Sequence, residues 1–196
     1  MSEVGDDFIF IAIPKTGSST IREILRLNFD TIVKPPNHGI PDDLDRPLIF
    51  TFVRHPVFWL RSFWNNRRRV DWVLGGMGSP LWYNMTKELC PLREDNCDDF
   101  LIRVSMEKPG IVGDIFNDFM VPGIQVGRTE FLNQDLKRIV PDVIRFREPT
   151  NVGADKPKIG LSAFNYVSQS EYDVIGHYYE DETNLMDTIW RNDLCQ

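Results

Sequence analysis

A chain of 196 residues, 42% hydrophobic and 26% charged, is long enough for one domain with a hydrophobic core and too apolar for an intrinsically disordered chain. Its net charge of −7 supplies no bulk attraction for nucleic acid or an acidic membrane, so an anionic ligand requires a local basic site. Three cysteines (Cys90, Cys97, Cys195) are too few for a disulfide scaffold, and the spacing of Cys90 and Cys97, without His or Cys neighbours, is a poor zinc pattern.

Residues 1–7 are acidic and lack a charged-then-apolar leader pattern, and no apolar run approaches a membrane-spanning length. The expectation is a soluble protein, cytoplasmic or the soluble catalytic part of something longer. The first predicted element is the strand 8–13 (FIFIAI), a continuous apolar run of the kind buried on both faces of a parallel sheet. A polar loop, Pro14-Lys15-Thr16-Gly17-Ser18-Ser19-Thr20, follows, and then Ile21, Ile24, Leu25 and Asn28 recur at helical spacing. The second buried strand, 48–53, leads through Arg54-His55-Pro56 into a helix over 57–69, with Pro56 suited to its first turn.

The stretch 71–96, rich in Gly, Trp and Pro, reads as an irregular insert. A helix is expected over 100–106, a short strand or turn at 123–126, and a helix after Gly127-Arg128-Thr129-Glu130 as far as Val140. A last strand is expected at 143–147, a loop at 151–160 and a broken helix over 168–190. Strands alternating with helices predict one α/β domain over 1–196, a central parallel sheet flanked by helices.

The loop after the first strand has the composition of an anion cradle. It places unpartnered helix-start N–H groups beside Gly17, which permits close backbone approach, and adds the Ser18, Ser19 and Thr20 hydroxyls and the charge of Lys15. It departs from the nucleoside-triphosphate loop G-x-x-x-x-G-K-[ST], because Lys15 precedes the glycine. The plainer reading is a Ser/Thr helix cap. Between Asp45 and Asp71 lie six arginines and no acid (Arg46, Arg54, Arg61, Arg67, Arg68, Arg69). Arg54 ends a strand, and its fork suits a phosphate dianion. Ser62, eight residues on, adds one donor from the next helix. The other arginines either widen the positive field or form a solvated face.

Pro14-Lys15-Thr16-Gly17-Ser18-Ser19-Thr20 resembles the 5′-phosphosulfate loop of sulfotransferases that use 3′-phosphoadenosine-5′-phosphosulfate (PAPS), in the form found in carbohydrate enzymes of the heparan sulfate 2-O-sulfotransferase group. Arg54 and Ser62 resemble the family's 3′-phosphate pair, with His55 where an Asp is common. Gly127-Arg128-Thr129-Glu130-Phe131-Leu132 with Asp135-Leu136 resembles a third family segment, for which a structural Arg128–Glu130 ion pair is expected. The loop Asn151-Val152-Gly153 with Lys156-Pro157-Lys158 resembles the region that closes over the nucleotide, which brings Lys156 into the cofactor set. The resemblance implies a P-loop NTPase-like sulfotransferase fold and spans most of the chain except 71–96.

It implies in-line transfer of a sulfuryl group from PAPS to an acceptor hydroxyl, with a carbohydrate favoured, leaving 3′,5′-ADP (PAP) as product and needing no metal. Lys15 would stabilise the leaving group, and Thr16 through Thr20 would hold the 5′-phosphosulfate. A base is needed. The resemblance points to His38, in the Pro35-Pro36-Asn37-His38-Gly39 loop, with Asp42, Asp43 and Glu107 as open alternatives. Trp59, Trp64, Trp72, Trp82 and Tyr83 are candidate sugar-stacking surfaces, though core packing is the commoner use of such residues. Two other functions compete: a small P-loop kinase using ATP, and a non-catalytic module that binds PAPS or 3′,5′-ADP.

Overall fold

The computed structural model describes residues 2–34, 39–67, 88–92, 94–147 and 159–179. They fall into two compact units. Of the described residues, the first unit holds 2–34, 39–54 and 116–147, and the second 55–67, 88–92, 94–115 and 159–179.

The first unit is a five-stranded mixed sheet with helices. Its strands are β1 (Ser2–Val4), β2 (Phe8–Ile11), β3 (Ile32–Lys34), β4 (Leu48–Val53) and β5 (Gln125–Arg128), in the order β3-β1-β2-β4-β5. β2, β4 and β5 are parallel, whereas β1 runs antiparallel to both β2 and β3. The expected all-parallel sheet is therefore the β2-β4-β5 part of a mixed one. The two antiparallel strands are three residues each, too short for a hydrophobic pattern to reveal. β1 also carries Glu3, fully buried, whose carboxylate is satisfied by Arg26 and by the Thr31 hydroxyl at 3.0 Å. A buried acid needs such partners, and it hides the strand from a reading based on apolar runs.

β2 and β4 alternate along their length with the period of two that a pleated strand imposes. Phe8, Phe10, Phe50 and Phe52 share a core with Ile21, Ile24 and Leu25 of α1 (Ser18–Asn28) and with Leu136 and Ile139 of α5 (Leu132–Ile139). Phe10 stacks on Phe50 with ring centroids 5.3 Å apart. Burial of each such ring contributes about 2 kcal/mol. The intervening Ile9, Ile11 and Val53 are buried as well, so the strands are apolar on both faces.

No strand forms over 143–147. This extended segment instead gives its backbone polar groups to one side chain at the end of α1. Asn28 accepts from the Ile144 and Arg145 amides, both at 2.9 Å, and donates to the Arg145 carbonyl at 2.8 Å. With those groups already paired, no sheet ladder is needed to satisfy them.

The second unit is helical: α2 (Pro56–Arg67), α3 (Cys97–Glu107), α6 (Leu161–Ser170) and α7 (Tyr172–Tyr179), with the start of α4 (Ile111–Asn117). α2, α3 and α6 pack on one another. Pro56 is the first residue of α2, as its missing N–H favours. Trp59 is fully buried and stacks on Phe63, which stacks in turn on Phe100. Trp64 is buried and donates to the Glu94 carbonyl at 2.9 Å. Both tryptophans are therefore core, not sugar platforms. Arg61 and Arg67 are buried too, with guanidinium carbons 5.0 Å and 5.5 Å from the Phe58 and Phe63 centroids. Being buried, they do not form a solvated face, and a guanidinium stacks on an aromatic face in a way an ammonium does not.

Among the described residues no helix is long and apolar enough to cross a membrane. The insert 71–96, the loop 151–160 and the helix over 168–190 lie wholly or partly outside the described residues, as do Arg68, Arg69, Trp72, Trp82 and Tyr83. Where 161–179 is described, it forms α6 and α7 with a break at Glu171.

Glu171 is the second unit's distinctive buried acid. Its carboxylate accepts from the Val112 amide at 3.2 Å and the Gly113 amide at 3.1 Å, at the start of α4. Burial pushes its pKa up to about 7 from an ordinary 4.5, and Asp114 adds to the rise, while the amide bonds pull the other way. The folded state therefore holds this proton more tightly than the unfolded state. The associated stability is complete below about pH 4.5 and is lost as pH rises through about 7, by up to about 3 kcal/mol. In urea unfolding across that window, the wild-type stability is expected to fall relative to Glu171→Gln as pH increases. Parallel pH profiles for the two proteins would rule this out.

Candidate functional site

The parallel register brings three strand ends to the same edge. Ile11 pairs with Thr51, and Val53 with Arg128, so the segments leaving β2, β4 and β5 emerge along one edge of the sheet. In open α/β sheets ligands bind at the carboxyl ends of the strands. Here those ends carry the Lys15 to Gly17 loop, Arg54 and Thr129-Glu130.

The loop is built for backbone exposure. Lys15 has φ 68° and Gly17 has φ 74°. Lys15 is the only described non-glycine residue in the left-handed region. Such a conformation costs a residue with a Cβ about 1–2 kcal/mol and concentrates at functional sites. Turns that visit this region make concavities of backbone N–H groups that suit anions. The helix that follows is opened by Gly17, which has no side chain to cap it, and its first intrahelical bond is from the Ile21 amide to the Gly17 carbonyl at 3.1 Å. The plainer alternative, a Ser/Thr cap, is therefore not the arrangement adopted. The N–H groups before Ile21 and the positive end of the helix dipole face the loop.

The predicted cradle residues separate by exposure. Lys15, Gly17 and Ser19 are half-buried; Thr16, Ser18 and Thr20 are buried. The Thr16 hydroxyl donates to the Ile13 carbonyl at 2.9 Å, so it braces the loop instead of offering a donor to a ligand. Ser18 and Thr20 are buried within the first turn of α1, which leaves Ser19 as the accessible hydroxyl of the three.

Arg54 stands beside the loop. Its Nη1 donates to the Lys15 carbonyl at 3.2 Å, and its Nε lies 3.9 Å from the Glu130 carboxylate. No acid is near Arg54 in sequence, but β5 delivers one through the fold. Arg128 makes a bidentate bond to Asp135, Nε at 2.8 Å and Nη2 at 3.0 Å, and its amide donates to the same carboxylate at 2.8 Å. Asp135 is buried on α5, one helical turn past the 3₁₀ turn Thr129–Phe131, so its carboxylate reaches back to the end of β5. Arg128 also lies 4.5 Å over the Phe131 ring.

Sequence reasoning missed Thr129. Its Oγ1 lies 2.9 Å from the Thr16 carbonyl and 2.8 Å from the Val53 carbonyl, joining the β2 loop to the end of β4. The only signal was a hydroxyl residue directly after a strand. Gly127, two residues earlier, is required because a Cβ there would fall 2.6 Å from the Phe52 ring.

Ser62 is half-buried on α2 in the second unit. His55 is buried there among rings, stacked on Phe164 at 5.5 Å and near Phe58 and Tyr179, so it serves packing. His177 is exposed against Tyr178. Asp42 and Asp43 are exposed, and Glu107 pairs with Arg103 at 2.8 Å on α3. His38 and Lys156 lie outside the described residues. Comparison with known proteins found no match to this chain: no family model, no curated protein and no solved structure.

The left-handed Lys15 makes a stability prediction of unusual sign. Glycine is ordinarily worse than alanine by about 0.5–1 kcal/mol, but at positive φ the order reverses. Lys15→Gly is expected to unfold at a higher urea midpoint than Lys15→Ala. The ordinary order, alanine above glycine, would show that Lys15 does not hold this conformation.

Proposed function

We propose that this chain is a sulfotransferase that moves a sulfuryl group from PAPS to an acceptor hydroxyl, with a carbohydrate as the favoured acceptor class, and that its sheet belongs to the P-loop-like sulfotransferase fold. One observation carries the reading. Left-handed Lys15 and Gly17 open α1 with its first amides uncapped, and Arg54, from the neighbouring parallel strand, holds the loop's backbone and brings a second positive charge. Two cations and a row of N–H groups at one sheet edge suit a ligand with two separated anionic groups. The resemblance of the loop, of the Arg54–Ser62 spacing and of the 127–136 segment to the PAPS-dependent enzymes supplies the identity of that ligand. Ser62 and Lys156 enter the reading through the resemblance alone.

In the proposed step the bond between sulfur and the bridging oxygen of PAPS breaks as the acceptor oxygen bonds to sulfur. The acceptor's proton passes to His38, whose part rests on the resemblance, and 3′,5′-ADP departs. Lys15 offsets the charge growing on the bridging oxygen, and the α1 amides with Ser19 hold the 5′-phosphate. The demands match those of phosphoryl transfer, in which positioning and charge stabilisation do most of the work. Glu130, 3.9 Å from Arg54, keeps the guanidinium oriented and shares it with the incoming phosphate.

Two measurements test the reading. A ligand that binds only the folded state raises its stability, by about 2.7 kcal/mol at a hundred times Kd. 3′,5′-ADP is expected to raise the melting temperature, and ATP with magnesium is not; the reverse result would indicate a kinase. Radiolabelled PAPS offered with glycans, peptides and small alcohols is expected to label a glycan. Lys15→Ala and Arg54→Ala are each expected to abolish transfer, Arg54→Ala chiefly by weakening nucleotide binding. Tight nucleotide binding with no transfer to any hydroxyl would reduce the protein to a binding module, and wild-type transfer in either variant would overturn the site.

A further inference from the structure

We infer that Thr129 is the positioning residue of the anion site, a latch whose hydroxyl holds the Lys15 to Gly17 loop in its ligand-ready form; this rests on the reading of that loop as an anion cradle. The loop is chemically awkward. It has two left-handed residues in three positions, and Gly17 opens α1 without a side-chain cap. A loop of this kind relaxes unless the surrounding structure over-determines it. Its carbonyls and its packing supply ties of that kind.

Each carbonyl has its tie. The Lys15 carbonyl accepts from Arg54 Nη1 at 3.2 Å, and the Ile13 carbonyl accepts from the Thr16 hydroxyl at 2.9 Å. The Thr16 carbonyl, between the two left-handed residues, faces Thr129 Oγ1 at 2.9 Å. That same hydroxyl reaches the Val53 carbonyl at 2.8 Å, so one proton is shared between the loop and the last residue of β4. Thr129 thereby fixes the distance between the loop and the strand end from which Arg54 departs. The methyl side of Thr129 completes the fit, since a Cβ on Gly17 would approach its Cγ2 to 3.2 Å. The latch is itself anchored: Arg128 beside it is clamped by Asp135 through three bonds.

Preorganised donors bind an anion without spending binding free energy on ordering the loop, so loss of the latch weakens affinity for a ligand that Thr129 never touches. Three variants separate its parts. Thr129→Val keeps the shape and removes the hydroxyl, Thr129→Ser keeps the hydroxyl and removes the methyl, and Thr129→Ala removes both. Two readouts are compared. One is the Kd of 3′,5′-ADP by calorimetry. The other is hydrogen exchange at the Thr16 to Ser19 amides of the ligand-free protein, referred to exchange in the β4 core. Thr129→Val is expected to raise Kd about tenfold, a loss of about 1.4 kcal/mol, and to speed loop exchange by a similar factor while β4 exchange stays unchanged. Thr129→Ser is expected to stay within about twofold of wild type on both.

Wild-type loop exchange in Thr129→Val overturns the latch even if nucleotide affinity falls. Acceleration throughout β4 also overturns it, because that is general destabilisation. If the wild-type protein binds no 3′,5′-ADP, the proposed donor is wrong, and the loop exchange alone then decides the latch in either direction. Should Thr129→Val fail to fold, Thr129→Ala against Thr129→Ser isolates the hydroxyl by the same two readouts.

Discussion

Parallel pairing of β2, β4 and β5 is the constraint on which the first unit depends. It brings to one edge three strand ends that are remote in sequence, Val53 paired with Arg128 and Ile11 two residues short of them opposite Thr51. Where parallel strands end together, their last carbonyls and the loops leaving them crowd one edge, and each polar group there requires a partner or a ligand. The chain meets this with side chains drawn from the neighbouring strand end. Arg54 of β4 serves the β2 loop, Thr129 after β5 serves both β2 and β4, and Asp135 returns from α5 to serve Arg128. At that edge α1 begins at Gly17 without a side-chain cap.

Charge at this edge is arranged with economy. Arg54 bonds the β2 loop through the Lys15 carbonyl. Arg46 bonds the Gly5 and Asp45 carbonyls, and Arg61 and Arg67 are spent on aromatic rings in the second unit. Neighbours in a run of like charge in sequence therefore take different partners. The helical period sends successive arginines to different surroundings, and a buried guanidinium lying over a ring is a packing element as much as a charge. Glu130 lies 3.9 Å from Arg54 Nε, so the cation of this edge is set against an acid delivered from beyond β5.

Much of the framework was legible in the sequence. The apolar runs at 8–13 and 48–53 announced β2 and β4, the latter with its full extent, because a strand apolar on both faces has no other reading at that length. The spacing of Ile21, Ile24 and Leu25 announced α1, and Pro56 announced the start of α2. The short elements were not legible. β1 and β3 owe their existence to pairing with each other and to the satisfied carboxylate of Glu3, and the apolar tract at 143–147 was drawn away from the sheet by Asn28.

By itself the sequence determined the order of strand, loop and helix, the presence of Lys15 and Gly17 between β2 and α1, and the placing of Arg54 at a strand end, because these follow from local pattern and chain connectivity. Tertiary structure decided which acid meets which base, pairing Glu130 with Arg54 and Asp135 with Arg128, and it decided that Thr129 rather than Thr16 faces two carbonyls at once. Those outcomes depend on the register between strands more than seventy residues apart in the chain, as Val53 and Thr129 are. No local periodicity encodes such a distance; only the packed sheet does.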